Sequence, residues 1–469
     1  MYMIKDRVKI IATIGPATDD IEIIKQLIAA GVDVFRLNFS HGSHTWHLKN
    51  IEKIRLAAKE LQTPVAIMAD LQGPKVRITT VASGVIKLEE NNTIRVGFSQ
   101  DAVSDEKQLF IASEAAVFAN LVPGNLLLLD DGKVALELLE KQSNGMICKV
   151  INSGQLTDRK GVSAFGADLN LPAVTDKDLE DIALLKDQEV DYIALSFVQT
   201  SDDITNIRTM LNNYQTRILA KFETVSAINN IESITEAADG IMVARGDLAV
   251  AIGAKRVPWL QKELLAAATK FRKPAIVATQ MMESMITAAV PTRAEVSDVA
   301  NAILDGADAV MLSAETAVGA YPEQVVKTVA KICLEANYHE QRKHEVKDFL
   351  SLQQVIAWSA VDAANKLKAN CLVTLTETGS TALLFSKFGI DVPIIALTRS
   401  DKALGHMCLF KNVTPIYFDV LACGADIQNE VIAFLKERNI IKSGDTIILT
   451  KGGSLGVVGE TNSMFILEV

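Results

Sequence analysis

RILAKFETVSAINNIESITEAADGIMVARGDL, residues 217 to 248, holds two short apolar runs that each stop on charge, with an amphipathic stretch between them. The first ends on Lys221 and Glu223, the second on Arg245, Gly246 and Asp247. Strand, helix and strand in that order form a crossover unit whose strands lie parallel. Working outward, the unit recurs along the chain. Its runs are VKIIATIGP from Val8, VDVFRLNFSHG from Val32, VAIMADLQG from Val65, DYIALSFV from Asp191, the two above, PAIVATQM from Pro274 and DAVMLSAET from Asp308. Most are separated by about 25 to 35 residues, room for one helix and two loops, which is the rhythm of an eight-stranded parallel barrel. The fold class is therefore α/β, a (β/α)8 TIM barrel.

The barrel is expected to occupy residues 1–75 and 162–340. The long gap between, residues 76–161, reads differently: NTIRVGF, NLLLLDDGKVALELL and GMICKVINSG alternate in polarity and are divided by turn signals. It predicts a small all-β domain inserted after the third strand. Residues 350–469 form a further unit, in which CLVTLTETGS, PIIALTRS, TPIYF, TIILTKGG and MFILEV punctuate helical stretches. That pattern predicts a C-terminal α/β domain with a mostly parallel sheet.

Composition narrows the function. Lys and Arg number 47 against 57 Asp and Glu, a balance that argues against broad binding to nucleic acid or membranes. No uncharged run approaches the roughly 20 residues of a membrane span, and the start meets charge too early for a secretory leader. The expectation is a cytoplasmic protein. Five cysteines, Cys148, Cys333, Cys371, Cys408 and Cys423, lie far apart with no C-x-x-C pair, which favours reduced thiols over a zinc site.

Function in a parallel barrel collects at the C-terminal ends of the strands. There the sequence places Arg36, Asn38, Ser40, Asp70, Lys221, Glu223, Arg245, Gly246, Asp247, Thr279, Ser313, Glu315 and Thr316. Any one of these alone reads as a solvated loop residue. Together, mixed in sign and tied to glycine turns, they are hard to explain as packing. Alternate strand residues share a face, so Arg36, Asn38 and Ser40 point one way, as do Lys221 and Glu223. Glu223 and Asp247, without His or Cys nearby, are hard oxygen ligands suited to Mg²⁺ or Mn²⁺. Gly246 opens a helix whose free N–H groups would hold a substrate carboxylate. Lys221 and Arg36 add positive charge. At ~4 Å and an effective dielectric near 20, each such cation contributes on the order of 4 kcal/mol before desolvation. The set fits phosphoryl transfer between oxygens, which rests on positioning and charge neutralisation.

The motifs VFRLNFSHGSH, DLQGPK, LAKFE, IMVARGDLAV, ATQMMESM and PTRAEVSDVANAILDGADAVMLSAETAVGAYP, in that order, resemble the pyruvate kinase family over essentially the whole chain. The resemblance implies transfer of the phosphoryl group of phosphoenolpyruvate to ADP, giving ATP and pyruvate at the close of glycolysis. It implies that the inserted domain is a lid, that the C-terminal domain is regulatory, and that the assembly is a homotetramer. It makes Glu223 and Asp247 the ligands of Mg²⁺ or Mn²⁺, with Lys221 neutralising the phosphoryl group in flight. Gly246 and Asp247 would hold the substrate carboxylate and Thr279 would sit on the proton relay. Arg36 and Arg77 would contact phosphates, and Lys177 the nucleotide.

The chain also departs from the family. Ala249 and Ala251 stand where relatives carry Gly and Glu, Phe222 where they carry Ile, and Asn170 where many carry Asp. Asn38, Ser40 and Asp70 match a monovalent-cation site, but Leu71 and Lys75 replace the Thr and Glu of K⁺-requiring relatives. The combination resembles K⁺-independent members, with the Lys75 ammonium in place of the free cation. In TLTETGSTA, residues Thr376, Thr378, Gly379, Ser380 and Thr381 resemble an effector phosphate loop. The later loop TKGGSLGVVGETNS lacks the Trp and Arg that some members use for a second phosphate. A monophosphate effector, a sugar monophosphate or AMP, is therefore expected. Two other readings stay open. Metal-dependent aldol cleavage would need the Glu/Asp pair but not Lys177, Arg77 or the lid. A non-catalytic phosphosugar sensor would need only the 376–381 loop.

Overall fold

The computed structural model describes residues 8–212, 215–339, 351–419, 426–452 and 461–469. The eight runs form a closed barrel of Lys9–Thr13, Val34–Asn38, Ala66–Asp70, Tyr192–Leu195, Arg217–Phe222, Gly240–Ala244, Ala275–Ala278 and Ala309–Leu312. Neighbours pair in chain order, and the first strand closes on the eighth with Lys9 opposite Ala309.

Below the mouth these runs are largely apolar because both faces are buried. Ile10, Ile218, Ile241 and Val277 pack under the surrounding helices, while Ile11, Leu219, Met242, Ile276 and Met311 fill the interior. Following the inward set two residues at a time leads to the mouth. Val34 is followed by Arg36 and Asn38, Met68 by Asp70, Ala194 by Ser196, and Leu219 by Lys221 and Glu223. Polarity begins where the packed layers end. Several helices start on side-chain caps, with reciprocal boxes at Thr175–Asp178 and Thr292–Glu295, each satisfying backbone donors that the first turn leaves over.

The insert is a six-stranded sheet in the order Val162–Phe165, Leu126–Leu129, Val134–Gln142, Gly145–Val150, Thr93–Phe98, Gln108–Ile111, with a separate pair of Gly154–Thr157 and Val85–Leu88. The Asp130-Asp131-Gly132 corner supplies the positive φ values, 51°, 56° and 87°, that its tight turn requires. Because Val162–Phe165 pairs with Leu126–Leu129, the sheet runs past the expected boundary at residue 161. Four residues, VSAF, carry no signal of which sheet they join.

The C-terminal sheet runs Val413–Tyr417, Ile394–Thr398, Cys371–Leu375, Thr446–Gly452, Thr461–Glu468, parallel except for the last strand. It caps the base of the barrel, and one apolar cluster runs from Ile11 and Met242 to Phe385 and Phe410. Across that joint Lys9 Nζ donates to the Val413 carbonyl at 2.7 Å and Tyr192 Oη to the His406 carbonyl at 2.5 Å. Lys387 pairs with Asp308 at 2.5 Å. Arg217, at the base of the fifth barrel strand, donates to the Thr378 carbonyl at 3.2 Å. No helix among the described residues is long and apolar enough to cross a membrane.

Candidate active site

At the mouth, Asp70 is the hub of a buried network. Its Oδ2 accepts from Arg36 Nε at 2.7 Å and its Oδ1 from Lys221 Nζ at 3.0 Å. Arg36 also reaches Thr13 Oγ1 at 3.0 Å, and Lys221 reaches Ser196 Oγ at 2.7 Å and Glu223 Oε1 at 3.2 Å. Glu223 Oε2 accepts the Phe197 N–H at 2.8 Å. Burial disfavours the Asp70 charge, but Lys221 and Arg36 outweigh it and hold the carboxyl below its usual range. Burial would likewise lower the Lys221 pKa, yet Asp70 and Glu223 outweigh it and keep the ammonium protonated well above its ordinary value. Lys221 thus holds its positive charge in a buried site, where screening by water is weak.

Glu223 behaves differently. Burial pushes its carboxyl up, Lys221 opposes that, and the nearby Asp247 carboxylate adds to it. The two carboxylates, Glu223 just past one strand and Asp247 in the first turn of the helix that follows the next, make a fitting seat for a divalent cation. Among the described residues no group of three or more His, Cys, Asp or Glu is arranged as a metal cluster. Two hard oxygens are sufficient for magnesium, which keeps waters and shares its sphere with substrate. The donor set fits Mg²⁺ or Mn²⁺ and not a closed zinc site.

Above these groups a cleft separates barrel from insert, lined by Lys75, Gly161, Ser163, Glu223, Asp247 and Ala251 among others. The insert touches the barrel where the Gly166 N–H donates to the Ala251 carbonyl at 2.8 Å, and Phe165 lies against Gly253. Ala251 thus stands under the insert, where a Glu would project into the cleft. Ala249 and Ala251 pack partly buried against the barrel core, and Phe222 is fully buried there.

The structure alters several sequence-level expectations. The Lys75 ammonium stands 3.9 Å from Asp247 Oδ1, whereas both oxygens of Asp70 are already held by Arg36 and Lys221. The Gly246 N–H, expected to be free for a substrate, donates to Thr279 Oγ1 at 2.8 Å. Thr279 and Gln280 lie at φ 67° and 55°, a strained region for a β-branched residue. Arg245 braces that turn by donating to the Thr279 and Gln280 carbonyls while pairing with Asp298. Glu315 accepts the Met282 and Ser313 N–H groups. Arg245 and Glu315 are therefore struts. Asn38 Oδ1 accepts the Ser40 N–H at 3.2 Å, and Leu71 is buried. Arg77 Nη1 donates to the Arg159 carbonyl at 3.0 Å. Lys177 Nζ donates to the Phe39 carbonyl at 2.8 Å and to Asp181 at 2.7 Å.

Sequence reading missed Ser196, although it continues the inward register of the fourth strand and could have been found by it. It also missed Asp178, which accepts the Gly73 N–H at 3.1 Å. Gly73 lies at φ 67°, and a Cβ there would fall 2.8 Å from the Ser196 Cβ. That crowding explains why the third strand must turn through glycine. In the C-terminal domain, Thr376 Oγ1 accepts the Gly379 N–H at 3.0 Å and Thr378 Oγ1 the Ser380 N–H at 3.4 Å, while Thr381 bonds Thr461 at 2.8 Å. Of the later loop, residues 453–460 lie outside the described residues.

Comparison with known proteins agrees with this architecture. Residues 5–326 match the pyruvate kinase barrel domain and residues 354–467 the pyruvate kinase alpha/beta domain. The chain belongs to the pyruvate kinase family, a family of phosphotransferases. It is 40% identical to pyruvate kinase II of Salmonella typhimurium, over 99% of this chain and 98% of the relative. It is also 40% identical to a pyruvate kinase of Staphylococcus haemolyticus, over 98% of this chain and 80% of the relative. A crystal structure of a pyruvate kinase from Cryptosporidium parvum superposes with TM-score 0.92 at 32% identity, covering 99% of this chain and 96% of that one. Membership in the family removes aldol cleavage and a purely non-catalytic sensor as first readings of the Glu223–Asp247 pair.

Proposed function

We propose that the chain transfers the phosphoryl group of phosphoenolpyruvate to ADP, yielding ATP and pyruvate. The observation that carries this is the buried Lys221 ammonium held between Asp70, Ser196 and Glu223 at the barrel mouth. Arg36 and Lys221 meet the negative charge of the transferring group, and because both are already hydrogen-bonded they need little reorganisation as that charge shifts. When the phosphoryl group has moved to the terminal phosphate of ADP, Lys221 stabilises the enolate left behind. Thr279, aligned by Arg245, holds the proton path to the enolate carbon. A substrate carboxylate would take the Gly246 N–H from Thr279, so binding would free an acceptor lone pair on the hydroxyl that the proton step uses, while its hydrogen rests on the Ala278 carbonyl at 2.6 Å. Glu223 and Asp247 would hold Mg²⁺ or Mn²⁺, which when bound supplies charge neutralisation and orients substrate oxygens. Arg77 and Lys177 would contact the nucleotide.

Monovalent-cation independence belongs to the same reading, for an altered reason. Lys75 brings its ammonium to the metal-binding Asp247, and Asp70 already has two cationic partners. A coupled assay for ATP and pyruvate should show full turnover without added K⁺ or Na⁺, and Lys75→Glu should acquire a K⁺ requirement. A strict requirement in the wild type would refute this.

The 376–381 turn, whose Thr376 and Thr378 hydroxyls accept the Gly379 and Ser380 N–H groups at a helix start, is the support for an effector phosphate. The reading is a monophosphate effector acting on a cytoplasmic homotetramer. A sugar monophosphate or AMP should lower the half-saturating phosphoenolpyruvate concentration. Activation by fructose 1,6-bisphosphate alone would argue against it.

A further inference from the structure

Helix Asp176–Gln188 buries one stripe, and Asp178, Asp181, Ile182 and Leu185 lie on it. Asp181 is fully buried, a position where a carboxylate is costly unless both oxygens are paired. Each has a partner. Oδ2 accepts from Lys177 Nζ at 2.7 Å and Oδ1 from His44 Nε2 at 2.7 Å. Lys177 and His44 are themselves 43% and 44% exposed, so a hidden anion holds two half-exposed donors side by side. Stacked rings lie beneath them. Phe39, whose carbonyl takes a second Lys177 hydrogen, stacks on His47 with ring centroids 4.0 Å apart, and His47 Nε2 is bonded to the His41 carbonyl at 2.8 Å.

We propose that Asp181 and His44 are positioning residues for Lys177, fixing it to receive a nucleotide phosphate. This rests on the reading of Lys177 as a nucleotide contact. An ammonium has three hydrogens. Two are spent on Phe39 and Asp181, which sets the direction of the third and spares the side chain most of its rotamer freedom before ADP arrives. His44 matters because it takes the other oxygen of Asp181. Without it the carboxylate would be free to chelate Lys177 and compete with the phosphate.

Steady-state kinetics of the full-length enzyme, with both substrates varied, tests the idea. Lys177→Met should raise the KM for ADP about tenfold, the loss of one charge-assisted contact. His44→Ala and Asp181→Asn should raise it several-fold while the KM for phosphoenolpyruvate stays within about twofold, a split that general loosening of the mouth would not produce. His44→Gln, which keeps an N–H donor, should restore most of the ADP affinity and covers the case in which the buried Asp181→Asn fails to fold. If Lys177→Met raises the ADP KM and His44→Ala does not, the positioning role is wrong and the nucleotide reading stands. If Lys177→Met itself leaves the ADP KM unchanged, the nucleotide reading falls and the positioning role with it. Equal effects on both substrates, or a His44→Gln enzyme as defective as His44→Ala, would likewise overturn the proposal.

Discussion

Lys221→Met should lower kcat about 10³-fold, the scale expected when one preorganised charge aimed at the transition state is removed. Methionine keeps the length of the stem and its packing above Leu219 while deleting the charge. The loss should therefore appear in kcat far more than in the KM for ADP. A second signature follows from Glu223. Its carboxyl is already pushed up by burial, with Lys221 opposing that push, so removing the lysine raises it further. The residual activity of the variant should then fall off, as pH is lowered, at a higher pH than in the wild type, because protons compete more effectively with Mg²⁺ for Glu223. Undiminished turnover in a coupled assay would remove Lys221 from the mechanism.

Asp70→Ala should be the most damaging change to stability among the mouth residues. It leaves Arg36 and Lys221 buried without their shared anion, and removing one partner of a buried pair costs about 3–5 kcal/mol. Chemical denaturation should show a lower midpoint with little change in slope. The pH dependence has a definite sign. The folded-state carboxyl is held below its ordinary value of 3.8, so its stabilising contribution is complete above 3.8 and is lost only as pH falls through the depressed value. The gap between wild type and variant should therefore stay constant from neutral pH down to the ordinary carboxylate range. If it closed at milder acidity, the pairing assigned to Asp70 would be incorrect.

The mouth was legible to different depths. Arg36, Asp70, Lys221 and Glu223 could be placed at one mouth because each continues the inward register of a strand, and a period of two residues is a local property. Ser196 obeyed the same rule and was still overlooked, since a lone serine after an apolar run carries no contrast in charge. Arg245 and Glu315 carried that contrast and proved to be struts, bonded to backbone groups that no pattern advertises. Lys75 was expected roughly where a monovalent cation's charge would act, and its ammonium stands 3.9 Å from Asp247 Oδ1, a partner that no spacing in the sequence names. The insert boundary at residue 161 failed for want of length in the segment that crosses it.

By itself the sequence determined the eight-fold recurrence of strand and helix, the two added domains, and the level at which charge appears on each strand. Those follow from which residues share a face, and that is decided within a few positions. Only the tertiary structure decided which charge meets which. Asp70 takes partners 34 and 151 positions away, Lys177 rests on a carbonyl 138 positions away, and the Gly246 N–H goes to a hydroxyl 33 positions on. Such pairings depend on the closure of the barrel, which brings strand ends together in space without leaving any trace of the match in the spacing of the residues.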